Sequence, residues 1–94
     1  MVDGLDEAGI SARLHELSGW ARVGDEIRKE FERPSFPDAI AFVVRIGFLA
    51  EAADHHPDID IRWRTVHLAL TTHDAGGLSA RDFDLAAQID EVAS

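Results

Sequence analysis

The segment SFPDAIAFVVRIGFLAEAAD, residues 35–54, is the longest regular stretch of the chain and decides its fold. Ser35 followed by Asp38 is typical of a helix start with a capping box, and Pro37 is tolerated in a first helical turn. The apolar residues that follow occupy more than one stripe of the helical wheel, so this helix must be covered on most sides. In so short a chain, the sheet covers only one side of this helix. We therefore expect a second copy to cover the rest, in a homodimer or a homotetramer.

The residues before this helix predict another helix and a β-hairpin. Apolar side chains recur at helical spacing within residues 10–17, and Gly19 ends that segment. Across residues 20–31 the pattern changes to alternation in two short runs. Gly24-Asp25 separates the runs, which is typical of a tight turn between two antiparallel strands.

The residues after the helix predict two further strands and a last helix. Pro57 ends the helical region because it restricts the residue before it to extended geometry. Apolar side chains then alternate on odd positions and afterwards on even ones: Ile59, Ile61 and Trp63, then Val66, Leu68 and Leu70. The change of parity requires a bulge or a tight turn between Trp63 and Val66. Beyond the Gly76-Gly77 loop, Ser79 is placed to cap a final helix.

The predicted order is therefore helix, two strands, helix, two strands, helix. This pattern predicts an α+β fold of two layers, in which a four-stranded antiparallel sheet carries helices on one face. Because neither a repeat nor a Pro/Gly-rich linker divides the chain, we expect residues 1–94 to form a single domain.

Composition excludes several classes of protein. The 18 acidic and 9 basic residues give a net charge of −9, which repels nucleic-acid phosphates. The absence of cysteine excludes a disulfide framework and a thiolate metal site. The longest apolar stretch, within residues 46–50, is too short to span a bilayer, and Met1-Val2-Asp3-Gly4 lacks the features of a signal peptide. We expect a soluble cytoplasmic protein that contacts neither nucleic acid nor membrane.

Five histidines in 94 residues are many, and their positions point to a site. His55 and His56 come at the end of the long helix, and His73 comes at the end of the last strand. Glu51 precedes His55 by one helical turn, and Asp82 falls in the first turn of the last helix. Helix ends and strand ends are rigid supports for a site. Histidine titrates near neutral pH, so this set suits proton transfer in both directions.

Each of these residues also has a purely structural interpretation. His15 is expected to be a solvated helix residue, and His67, on the less apolar face of its strand, a structural one. Asp82 follows Ser79 at capping-box spacing, which favours a helix cap over a catalytic residue, although one residue can have both roles. Glu51 is compatible with a simple charge on the helix surface.

A zinc site is a further interpretation of the histidines. His55, His56 and His73 with a water molecule would match the three-histidine arrangement of some catalytic zinc sites. Adjacent histidines joined to a proline rarely aim both rings at one ion, and the spacing matches no known zinc signature. A site without metal is therefore favoured.

The spacing of these residues carries a resemblance to a known family. The motif is Glu51-x-x-x-His55-His56-Pro57, followed by Trp63, His73 and Asp82. Together with the segments LSGW at 17–20, AEAADHHPD at 50–58 and THDAGGLS at 72–79, it resembles the pterin-4a-carbinolamine dehydratases over nearly the whole chain. The resemblance implies elimination of water from a 4a-hydroxytetrahydropterin to give the quinonoid dihydropterin, in support of tetrahydropterin recycling. The reaction that the resemblance implies uses neither a metal nor an organic cofactor.

The resemblance also implies roles for individual residues. The implied catalytic residues are His55, His56 and His73; the implied pterin contacts are Asp54, Thr71, Thr72 and Asp74; and the implied pocket residues are Glu51, Asp82 and Trp20. Within this set we expect His55 and His73 to form the acid–base pair, His56 to position the pterin ring, and Glu51 to orient His55.

A second class of function stays open. Some members of this family act as binding partners, in animals as a dimerisation cofactor of a homeodomain transcription factor, and degenerate relatives act as assembly factors. A non-catalytic binding or assembly partner would tolerate the loss of His55 and His73, whereas an enzyme would not.

Overall fold

The computed structural model describes residues 3–94 and confirms the predicted order of elements. These are α1 (Glu7–His15), β1 (Ala21–Val23), β2 (Glu26–Glu32), α2 (Phe36–Ala53), β3 (Asp58–Arg62), β4 (Thr65–Leu70) and α3 (Ala80–Ala93). A short 3-10 turn at His73–Ala75 joins β4 to α3. The four strands form one antiparallel sheet in the order β1-β2-β4-β3, so the fold is the predicted α+β class.

One face of the sheet is buried under the helices. Its side chains form a single core with apolar residues of all three helices: Ile27, Phe31, Val66, Leu68 and Leu70 from the strands, and Ile10, Ala39, Phe42, Ile46, Phe83, Leu85, Ala86 and Ile89 from the helices. Burying each of the larger side chains contributes roughly 1.5–3 kcal/mol, so this layer contact is the main source of stability. The opposite face is polar and carries His67.

The predicted β1–β2 hairpin is present, and a tight turn rather than a bulge joins β3 to β4, which corrects one expectation. Val23 pairs with Glu26 across a two-residue turn in which Gly24 has a φ of +62°. The β3–β4 turn is equally tight and accounts for the change of parity. Trp63, expected to continue the alternation of β3, lies in this turn instead, with a φ of +53° and 71% of its surface exposed. Its ring packs under the Arg64 guanidinium.

The two apolar stripes predicted for α2 have different surroundings. Ala39, Phe42, Ile46 and Ala50 are buried against the rest of the chain. Phe36, Ile40, Val44 and Phe48, here called the α2 patch, are 40–75% exposed. The helix begins as predicted, because the Ser35 side chain accepts a hydrogen bond from the Asp38 amide. The α1 helix is shorter than expected, since it ends at His15 rather than near Gly19.

None of the helices within residues 3–94 combines the length and the apolar character needed to cross a membrane.

Candidate active site

The end of α2 determines where the adjacent histidines point. Asp54 adopts the left-handed conformation with a φ of +49°, and the amides of Asp54 and His55 bond back to the carbonyls of Glu51 and Ala50. This is the Schellman arrangement that ends many helices. Beyond it Pro57 restricts His56 to extended geometry, and neighbouring side chains of an extended chain point to opposite sides. His55 is consequently buried and His56 exposed.

His55 is held by a buried carboxylate. Its Nε2 lies 2.6 Å from Oδ1 of Asp82, whose side chain is fully buried. The other oxygen, Oδ2, accepts hydrogen bonds from the Thr72 hydroxyl at 2.8 Å and the Ser79 amide at 3.0 Å. The Ser79 amide bond completes a capping box at the start of α3. Asp82 is therefore both the predicted helix cap and the partner of a site histidine.

Glu51 does not orient His55, contrary to expectation. Its carboxylate accepts a hydrogen bond from His56 Nε2 at 3.0 Å instead. The expectation assumed that the helix continues to His55. Because the helix ends at Ala53 and Asp54 turns the chain, the usual alignment of residues four apart is lost. The contact with His56 is largely solvent-exposed and therefore weak.

His73 lies in the 3-10 turn that follows β4. The turn is closed by two backbone hydrogen bonds between Thr72 and Gly77. The His73 side chain is exposed and makes no hydrogen bond to any residue in the described part of the chain. It is thus available to a bound molecule.

A cavity of about 160 Å³ brings most of the predicted site residues together. Its lining residues are Asp54, His55, His56, Thr71, Thr72, His73, Asp74 and Arg81. All of these except Arg81 were singled out from the sequence. Asp82 lies behind His55 and does not line the cavity.

Arg81 is the lining residue that sequence reasoning missed. Its guanidinium donates hydrogen bonds to the backbone carbonyls of Ala53 and Asp54 at 3.2 and 2.5 Å, which ties the start of α3 to the end of α2. One signal was available in the sequence. A cation in the first turn of a helix is disfavoured by the helix dipole, so Arg81 at that position points to a specific partner.

The two threonines predicted to contact the pterin already donate their hydroxyl protons within the protein. Thr71 donates its hydroxyl to the Asp25 carbonyl in the β1–β2 turn at 2.6 Å, and Thr72 directs its hydroxyl into the protein toward Asp82. The carboxylates of Asp54 and Asp74 are exposed in the cavity lining and remain candidates for contact with a ligand.

Trp20, expected to line the pocket, lies in the core instead. Its indole N–H donates to the Asp90 carboxylate at 3.0 Å, and its ring meets Phe31 edge-on at 6.1 Å. A buried indole needs a hydrogen-bond acceptor, and Asp90 on α3 supplies one away from the cavity.

A larger concavity of about 730 Å³ involves the open face of the sheet. It contains one histidine, His67, whose Nδ1 lies 3.1 Å from the carboxylate of Glu30 on the adjacent strand. His15 is exposed on α1. We regard the smaller cavity as the candidate active site because three histidines line it and a buried carboxylate holds one of them.

Proton transfer is the chemistry that this arrangement supports most directly. His55 is fixed by a carboxylate, while His56 and His73 are accessible from the same cavity. Within residues 3–94 no three histidine or acidic side chains are grouped in a way that could hold a metal ion. The Nε2 atoms of His55 and His56 are each engaged by a different carboxylate.

Comparison with known sequences gives a consistent result. The family model described as pterin 4 alpha carbinolamine dehydratase matches residues 3–92. A protein of Roseiflexus sp. (strain RS-1), named as a candidate pterin-4-alpha-carbinolamine dehydratase, is 67% identical over 92 residues, covering 98% of this chain and 99% of the relative. A Roseiflexus castenholzii protein of the same name is 69% identical over 88 residues, covering 94% and 95%.

Comparison with solved structures agrees. A transcriptional coactivator/pterin dehydratase from Brucella melitensis has a TM-score of 0.94 at 28% identity, covering 98% of this chain and 100% of that one. A pterin dehydratase-like protein identified as a RuBisCO assembly factor has a TM-score of 0.72 at 24% identity, covering 85% and 95%, and shares the fold. With the family model matching nearly the whole sequence, the chain belongs to the pterin-4a-carbinolamine dehydratase family.

Proposed function

We propose that the protein is a dehydratase that eliminates water from a 4a-hydroxytetrahydropterin to give the quinonoid dihydropterin. The observation that carries this proposal is the His55–Asp82 pair, which adjoins the same cavity as His56 and His73. The names of the two Roseiflexus relatives support the same reaction.

The reaction requires two proton transfers. One proton is delivered to the departing 4a-hydroxyl group as its C–O bond breaks, and another is removed from a ring nitrogen. We assign these transfers to His55 and His73, and we assign positioning of the ring to His56. Each well-placed acid or base is worth about 10²–10⁴-fold in rate. The protonated hydroxyl leaves as water and the ring gains a C=N double bond, with no net oxidation or reduction, so the proposed reaction needs neither a metal nor an organic cofactor.

The size of the cavity bears on which pterins are accepted. A volume of about 160 Å³ is below the roughly 300–1,000 Å³ that is typical of small-molecule sites. The reacting part of the ring would enter the cavity, and the remainder would stay at its mouth. We therefore expect pterins with different side chains to react at similar rates.

A stopped-flow ultraviolet assay with freshly generated 4a-hydroxytetrahydropterin tests the proposal. We expect the wild type to accelerate the decay of this compound. We expect His73→Ala to lower the turnover number at least tenfold without loss of folding, because the His73 side chain is exposed and makes no hydrogen bond in the described structure. His15→Ala, on the exposed surface of α1, is the matched control and should behave as the wild type.

The outcomes separate enzyme from binding protein. If the folded wild type does not accelerate the decay, the dehydratase proposal is wrong. A binding or assembly role is then favoured, in line with the descriptions of the two similar structures as a coactivator/pterin dehydratase and an assembly factor. If the wild type is active and His73→Ala equally so, the role assigned to His73 is wrong.

We also propose that the protein forms a homo-oligomer through the α2 patch. Phe36, Ile40, Val44 and Phe48 expose large apolar side chains along one side of α2. A continuous apolar stripe on a surface helix is favourable only when another surface covers it. The same stripe on a second copy is self-complementary, and a two-fold axis would bring the two together.

A further inference from the structure

We infer that Ser79, Thr72 and Asp82 form a directed hydrogen-bond chain that fixes His55 in one tautomer, so that its Nδ1 atom is the one that exchanges protons with a substrate. Thr72 is then a positioning residue that acts through Asp82 and His55. The catalytic part of this inference rests on the proposed function, whereas the tautomer does not.

The direction of each hydrogen bond follows from the groups involved. An ionised carboxylate only accepts, so Thr72 must donate its one hydroxyl proton to Asp82 Oδ2 at 2.8 Å. The Thr72 oxygen therefore accepts in its other contact, 2.7 Å from Ser79 Oγ, and Ser79 is the donor there. Ser79 Oγ in turn accepts from the Arg81 amide at 3.3 Å.

The position of the proton on His55 follows from the same groups. With Oδ2 of Asp82 receiving the Thr72 hydroxyl and the Ser79 amide, the charge of the carboxylate is held by two donors, and Oδ1 remains to accept. His55 Nε2, at 2.6 Å from Oδ1, must then carry a hydrogen. In the neutral ring the other nitrogen, Nδ1, has the free lone pair.

His55 Nδ1 is the atom left for chemistry. It forms no hydrogen bond within residues 3–94, yet it is not fully buried. His55 lines the cavity although only 8% of its surface is exposed. The exposed part of the ring therefore includes the nitrogen with the free lone pair.

Because the hydrogen-bond chain is buried, each of its donors is needed. Thr72 is 3% exposed, and Ser79 and Asp82 are fully buried, so water does not replace a missing donor at low cost. Losing a hydrogen bond to a charged, buried group is worth about 1.5–3 kcal/mol, or roughly tenfold or more in an equilibrium or a rate. Without the Thr72 hydroxyl, Asp82 Oδ2 keeps only the Ser79 amide as a donor. The carboxylate is then free to turn away from His55 Nε2, and the ring loses the acceptor that fixes its tautomer.

The experiment compares Thr72→Val, which keeps the shape of the side chain and removes the hydroxyl, with Thr72→Ser, which keeps the hydroxyl. Thr65→Val on β4 is the matched control outside the site. Nitrogen-15 NMR of the histidine rings, with His55 assigned from the spectrum of His55→Ala, measures the tautomer, and the stopped-flow assay measures kcat and KM. Thermal melts monitor folding.

We expect wild type, Thr72→Ser and Thr65→Val to show neutral His55 protonated at Nε2. We expect Thr72→Val to show a mixture of tautomers and a kcat lowered about tenfold with KM unchanged. A wild-type His55 protonated at Nδ1 overturns the inference, as does a Thr72→Val variant that keeps the wild-type tautomer. If Thr72→Val does not fold, the wild-type spectrum decides the tautomer, and Thr72→Ala, which also removes the hydroxyl, is expected to show the same mixture of tautomers.

The two proposals fail separately. A wild type that is protonated at Nε2 of His55 but inactive toward the pterin contradicts the proposed function and supports the hydrogen-bond chain. A wild type that is active but protonated at Nδ1 supports the function and contradicts the chain.

Discussion

Asp82 combines two roles that a small domain has reason to place on one residue. A fully buried carboxylate is costly unless it is well paired. At the third position of α3 it faces the positive end of the helix dipole, and it accepts the Ser79 amide, which would otherwise lack a partner. The environment that caps the helix therefore also stabilises the charge that holds His55. A carboxylate anchored in this way presents a fixed acceptor to the histidine ring.

Replacing Asp82 with Asn should reduce both stability and turnover. The amide keeps the shape but removes the charge that pairs with His55, and breaking a buried pair costs about 3–5 kcal/mol. Urea denaturation measures the free energy of unfolding, and the stopped-flow assay measures turnover. Asp84→Asn, an exposed position on the same helix that pairs with Arg13, should change the unfolding free energy by about 1 kcal/mol at most. Equal urea midpoints for wild type and Asp82→Asn would contradict the prediction.

At the scale of single residues, the sequence predicted which residues line the cavity better than it predicted their hydrogen-bond partners. Motif spacing and the ends of elements brought together the histidines and Asp54. The predicted partner of Glu51 was wrong, because one left-handed residue at the helix end changes the direction of the side chains that follow it. The inward turn of Thr72 could not be predicted, because a hydroxyl next to a site is compatible with facing either side.

At the scale of elements, alternation and helical spacing predicted the three α-helices, the four strands and the tight turn between β1 and β2. Between β3 and β4 the sequence left a bulge or a tight turn open, and the 3-10 turn at His73–Ala75 was not predicted. Element ends were less accurate. Trp63 had the apolar character of a strand residue, yet a two-residue turn requires a positive φ at one position, and that position fell on Trp63. Arg81 escaped notice because its carbonyl partners on α2 lie 27–28 residues earlier in the chain.

The stability contributed by the junction between α1 and β1 should depend on pH. The Arg22 side chain donates hydrogen bonds to Glu7 and attracts it electrostatically, which lowers the pKa of that carboxyl below its usual value of 4.5. A lowered pKa means that the ion pair stabilises the fold above pH 4.5 and that this contribution disappears as the pH falls through the lowered pKa. Both groups are exposed, so the effect is small and sensitive to salt.

We therefore expect Glu7→Gln to lower the urea midpoint slightly at pH 7. The difference from wild type should vanish in strong acid and shrink in 1 M salt. Glu16→Gln, which removes an exposed pair with Arg13 inside the same region, is the control and should show a smaller effect. A difference that persists at acidic pH would show that Glu7 acts through packing rather than charge.

At the scale of the whole molecule, the two apolar sides of α2 were predicted from the sequence, and the structure shows one buried and the other exposed. Our proposal is that a second copy of the chain covers the exposed side. Val44 lies in the middle of the α2 patch with 54% of its surface exposed.

A charge at Val44 should dissociate the proposed oligomer. Val44→Glu places a carboxylate in the apolar contact, where burial without a partner is strongly unfavourable. Analytical ultracentrifugation should show an oligomer for the wild type and a lower oligomeric state for the variant. Ala87→Glu adds the same charge to an exposed position of α3 and should leave the mass unchanged. A wild type that sediments as a monomer at concentrations of tens of micromolar would contradict the proposal.

The extended chain after Asp54 also has a consequence for motion. It gives two neighbouring histidines different freedom, since the ring of His55 is held by a buried carboxylate and that of His56 only by an exposed one. We expect the His56 ring to change rotamer on the picosecond-to-nanosecond timescale and the His55 ring to stay in one orientation. Relaxation measurements on the two rings would therefore differ although the residues are adjacent. We therefore expect one histidine to keep a constant orientation and its neighbour to adjust to a molecule that enters the cavity.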